Sequence, residues 1–161
     1  MKQPTSNNNA YLETKVLTAS PEQLQLMLYD GAIRFCEQAK TAIEAKDIEN
    51  SYLLITRAEK IVMEMQGSMR DDVAPETCAN MRRLYLFCYD RLVTANLKKD
   101  LNALDEAIEV LKNLRETWQM LMKKLQDELA DELAPAPAPV TEAPLLEPVG
   151  YEVGGTINFE G

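Results

Sequence analysis

The chain has 161 residues, 26 acidic and 17 basic side chains, no histidine and a net charge of −9. One domain is the expectation at this length, and it buries enough surface to fold without disulfides or a metal. Lack of histidine excludes His-ligated zinc and haem sites, Ser-His-Asp triads and Glu-x-x-His di-iron bundles, and the acidic balance argues against a nucleic-acid binder.

The charge is uneven. Residues 131–161 hold six acidic and no basic side chains, five of the eight prolines and four of the six glycines. That places a composition boundary near Leu133. No stretch is apolar enough to span a membrane, and the polar N-terminus is not a secretory signal. The three cysteines, Cys36, Cys78 and Cys88, form no C-x-x-C pair and read as free thiols of a reducing compartment.

Residues 1–9 are polar and asparagine-rich, and are expected to fray. Tyr11, Leu12, Val16 and Leu17 then fall at helical spacing. A helix this short is marginal alone and needs a surface to dock on. The first long helix is strongly marked. Ser20 is an N-cap, Pro21 suits the first helical position, and Gln23 completes a capping box. Leu24, Leu28, Ala32, Phe35, Ala39 and Ile43 make one apolar stripe. Leu26, Met27 and Ile33 extend it around the cylinder, so more than one side asks for cover. Gly31 suggests a tight helix crossing, and Asp30 is spaced to pair with Arg34.

The second long helix is expected from Ile48 to about Ser68, capped by Asp47, with Leu54, Ala58, Ile61, Val62 and Met65 inward. Pro75 opens a third, with Met81, Leu84, Tyr85, Cys88, Leu92 and Ala95 inward and an end near Lys98-Lys99. Asp100 caps a fourth, on which Leu104, Ala107, Ile108, Leu111, Leu114, Trp118, Leu121 and Leu125 run in regular steps to about Leu129. Short connections force neighbouring helices antiparallel. The expected fold is all-α: an antiparallel up-down four-helix bundle with a short N-terminal helix or lid and a disordered C-terminal tail. The expected divisions are 1–18 for the N-terminal segment, 19–132 for the bundle and 133–161 for an acidic, proline- and glycine-rich extension.

Several ordered motifs carry a family resemblance. TASPEQLQLMLYDGAIRF (Thr18 to Phe35) is preceded by Tyr11 and Val16. LYLFCYDRLVTANLKK (Leu84 to Lys99) leads into Asp100, with Asn96, Lys98 and Asp100 in an Asn-x-Lys-x-Asp turn. Arg115, Trp118 and Gln119 follow on the last helix. Over about residues 10–127 the chain resembles the FliS family of flagellar secretion chaperones, and the tail lies outside the likeness. The resemblance implies a small cytoplasmic helical bundle that is not an enzyme and needs no cofactor. Its partner would be the disordered C-terminal segment of flagellin, held back from polymerising and delivered to a component of the type III export gate. Some members also meet an anti-sigma factor. Neither nucleic acid nor membrane insertion is implied, and a monomer and a homodimer both remain open.

Such a client needs exposed apolar grooves for its i, i+3, i+4 and i+7 anchors. The residues expected to contact it are Tyr11, Leu12, Val16, Leu17, Leu24, Met27, Leu28 and Tyr29. The first four serve either as a displaceable lid or as a permanent fifth helix. Trp118 reads as core. Asp71-Asp72 has no catalytic partners. The rival reading is a helical adaptor or dimerisation module without an unfolded client.

Overall fold

The computed structural model describes residues 5–72 and 74–137. The expected disorder of the tail falls largely on residues 138–161, outside the described residues. Five helices follow in order: α1 (Thr5–Thr18), α2 (Pro21–Glu44), α3 (Ile48–Gly67), α4 (Pro75–Lys98) and α5 (Leu101–Leu133). There is no strand among the described residues. The polar run once expected to fray is helical from Thr5.

The helix starts follow local chemistry. The Gln23 backbone N–H donates to Ser20 Oγ (3.2 Å), and the Gln23 side chain accepts from the Ser20 N–H (3.0 Å), closing the capping box. Asp47 accepts from Asn50 N–H, and Asp100 from the N–H groups of Asn102 and Ala103. Pro21 and Pro75 occupy first turns, where a missing N–H costs nothing. Two ends use the left-handed conformation without glycine: Lys46 (φ 60°) after α2 and Lys99 (φ 52°) after α4.

Helices α2 to α5 pack as a square in which α2 meets α3 and α5, and α4 meets the same two. Its core runs through Tyr29, Ala32, Cys36 and Ala39 of α2, Ile55, Ala58, Val62 and Met65 of α3, Tyr85, Cys88 and Leu92 of α4, and Leu104, Ala107 and Leu111 of α5. The antiparallel register of α2 and α5 shows in three ion pairs: Lys40–Asp105 at 2.7 Å, Glu37–Lys112 at 3.0 Å, and Asp30–Arg115. Such half-exposed pairs each contribute about 0–1 kcal/mol, so they tune register more than stability.

Several expectations are corrected. Asp30 pairs across the bundle with Arg115 rather than along its own helix; Arg34 lies instead 5.5 Å from the centre of the Phe35 ring. Gly31 is buried against α3, but a Cβ there would sit 3.5 Å from Ile61 Cδ1, an ordinary contact rather than a tight crossing. Asn96 reaches beyond its turn: its amide donates to Thr56 and Glu59 of α3, both at 3.4 Å. Leu84, Leu121 and Leu125 are exposed rather than inward. Helix α5 also runs on to Leu133, 33 residues against 24 in α2 and in α4.

Candidate functional site

Two surfaces, one mixed in polarity and one largely apolar, open beside the core at the two ends of the bundle. The first lies at the end of the bundle where α2 begins and α5 ends. Trp118 Nε1 donates to the Glu22 carbonyl (3.1 Å), which fixes the start of α2 against α5. A groove of about 430 Å³ opens beside it, lined by Glu22, Gln23 and Leu26 of α2 and by Gln119, Met122, Lys123 and Gln126 of α5. A second groove of about 380 Å³ joins Lys15 and Thr18 of α1 to Leu26, Met27 and Asp30 of α2. Leu26 lines both.

Helix α1 is not part of the square. Every described side chain from Asn8 to Thr18 is exposed, including Tyr11 (69%), Leu12 (41%), Val16 (45%) and Leu17 (81%). Four expected client residues therefore sit on a largely exposed helix. Leu24, Met27 and Leu28 are half-buried in the first turns of α2. Tyr29 is a correction. It is wholly buried, and its hydroxyl lies 2.6 Å from that of Tyr85. One helical step of about 100° carries Tyr29 from the half-open edge occupied by Leu28 onto the core face, so its side chain lies in the core and not on the open surface.

The second surface lies between α3 and α4 at the opposite end. Ile48, Tyr52, Thr56, Val93, Asn96, Leu97 and Lys99 line a groove of about 570 Å³. Ile48, Tyr52 and Leu97 are exposed. Lys99 Nζ donates to Asn96 Oδ1 (3.1 Å) and lies 5.9 Å from the centre of the Tyr52 ring. Burial lowers the Lys99 pKa and raises that of Glu59 beside it. None of these residues stood among the expected client contacts. The available signal was apolar residues off the inner stripe, as in the doublet Tyr52-Leu53. Among the described residues no group of acidic or cysteine side chains is arranged to hold a metal, and no helix is long and apolar enough to cross a membrane.

The family described as flagellar protein FliS matches residues 4–125. The chain belongs to the FliS family. The flagellar secretion chaperone FliS of Bacillus subtilis is 33% identical over 114 residues, which cover 71% of this chain and 84% of that protein. The Salmonella typhimurium protein of the same name is 30% identical over 114 residues, covering 70% and 84%. A solved structure described as a flagellar chaperone from bacteria superposes with a TM-score of 0.61 at 14% identity, covering 73% of this chain and 98% of that one. At that identity it shows the fold alone. FliS is a family of chaperones and not of enzymes. The match ends within α5, and FliS likeness says nothing of residues 126–161.

Proposed function

We propose that this FliS-family member is a cytoplasmic flagellar export chaperone that binds the disordered C-terminal segment of flagellin. One observation carries the reading: outside its closed core the chain leaves a largely apolar groove between α3 and α4 and the exposed side chains of Tyr11, Leu12, Val16 and Leu17 on α1. An amphipathic client fits such surfaces by folding as it binds. Client held this way is withdrawn from polymerisation by mass action, and the complex is the form handed to the export gate. Family membership supports the flagellar setting.

Helix α1 acts here as an arm of the site rather than a cover, because its apolar side chains lie open instead of against the bundle. A synthetic flagellin C-terminal segment should release or absorb heat on titration and gain helical circular dichroism. No heat at tens of micromolar protein, with the peptide still a random coil, would sink the proposal. Removal of residues 1–18 should weaken peptide binding about tenfold, which is about 1.4 kcal/mol. Tighter binding would restore the role of a displaceable lid.

A further inference from the structure

The bundle matches Arg70 with Asp72, Arg82 with Asp71, Arg91 with Asp90 and Glu106, and Arg115 with Asp30. Arg34 and Arg57 are exceptions: neither forms an ion pair among the described residues. Both lie against one side chain instead. Arg34 Cζ is 5.5 Å and Arg57 Cζ is 5.6 Å from the centre of the Phe35 ring.

The register of α2 against α3 brings them together. Gly31 lies beside Ile61, and one turn further along each antiparallel helix Phe35 meets Arg57. Helical spacing sets Gln38 beside Arg34, and Leu53 and Lys60 beside Arg57. Leu53 is exposed, and Lys60 has no ion pair among the described residues either. The neighbouring acids are engaged elsewhere. Asp30, one turn from Arg34, is taken by Arg115, and Glu37 by Lys112. Glu59 turns to Asn96 of α4. That leaves Glu64, two turns from Arg57, against three cations on the outer face of α2 and α3.

We propose that the Arg34–Phe35–Arg57 face is a docking site for an acidic segment of a second protein, one that presents carboxylates beside an apolar side chain. Each guanidinium is a planar, permanently charged fork that binds a carboxylate through two parallel hydrogen bonds. The shared ring holds both forks near one place. Phe35 and Leu53 supply the apolar contact. Charge also limits the size of the partner. The whole chain carries −9, so a long polyanion is repelled once it leaves the patch. A short segment is not, because charges at physiological salt act over only about 8 Å. The face between α2 and α3 is separate from the α3–α4 groove, so the proposal stands apart from the flagellin reading.

The probe is the acetylated, amidated peptide Glu-Leu-Phe-Glu, titrated into the full chain. The side-chain Nε–Hε signals of Arg34 and Arg57 and the Leu53 methyl signals are followed by NMR. Lys-Leu-Phe-Lys, inorganic phosphate and a short DNA duplex are compared at matched ionic strength. The acidic peptide should shift all three residues saturably, and added salt should weaken it. Arg34→Gln with Arg57→Gln should weaken binding about tenfold while leaving the thermal midpoint in place, since neither arginine is paired within the bundle. No saturable shift at millimolar peptide would overturn the proposal, as would unchanged affinity in the double variant. Equal shifts from the lysine peptide would reduce the face to an apolar contact and overturn it too. Phosphate binding as tightly as the peptide would make this a small-anion site, and tighter DNA binding a nucleic-acid site. Either result would replace the acidic segment as the occupant.

Discussion

At the scale of single residues, the core holds polar and ionisable groups that constrain it. The Tyr29 and Tyr85 hydroxyls are paired and buried. Tyr29→Phe should cost about 1–3 kcal/mol because it strips a buried hydroxyl of its partner. Adding Tyr85→Phe should cost less than a second such loss, and a double-mutant cycle in urea measures the difference. Two equal, additive losses would mean that the hydroxyls do not depend on each other. The thiols give a pH dependence. Burial pushes Cys88 up from 9.0 to about 12. It raises Cys36 too, with Cys88 and Glu37 adding to the shift. Between pH 9 and 12 the folded chain keeps protons that the unfolded chain releases. Stability is therefore full below about pH 9 and falls as pH rises, by about 1.4 kcal/mol per pH unit for each such thiol. Urea denaturation at pH 8 and pH 10 should show the drop, and Cys88→Ala should reduce it. Equal stability at the two pH values would contradict these buried thiols.

At the scale of elements, caps and stops were legible because they depend on neighbours in sequence. The capping box at Ser20, the first-turn prolines and the caps at Asp47 and Asp100 all required only local residue types. Ser20→Ala should lower stability by about 1 kcal/mol. The left-handed residues were less legible, since lysine does not announce that conformation. The Asp47 N–H bonds to the Ala42 carbonyl at 2.8 Å and wraps the end of α2 around Lys46. Lys46→Gly should relieve the strain and raise the melting midpoint, by up to about 1 kcal/mol of stability. A lowered midpoint would mean that the Lys46 side chain contributes more than its backbone costs. Inner stripes were read well where the opposite helix exists, as at Val62 and Leu92. They were misread at Leu84, Leu121 and Leu125. Periodicity identifies an apolar face but not whether another helix is present to cover it.

At the scale of the whole molecule, the four-helix square is complete in itself, while α1 and the last turns of α5 extend from it with apolar side chains exposed. Removal of residues 1–18 should leave the thermal midpoint of the bundle nearly unchanged, because the buried core lies wholly in α2 to α5. A large fall would place α1 within the cooperative unit. The sequence by itself determined the helices, their caps, their antiparallel order and the family, since these follow from short-range spacing, turn chemistry and ordered motifs. It also marked Leu24, Met27 and Leu28 at the edge of a surface. Tertiary structure alone decided which apolar residues stay open. It sent Tyr29 inward to Tyr85, Asp30 across to Arg115, and Asn96 over to α3. It also opened the groove of Ile48, Tyr52 and Leu97. The physical reason is that burial belongs to pairs of surfaces. A helix carries its apolar stripe in its own sequence, but whether that stripe becomes core or binding site depends on where the other helices end.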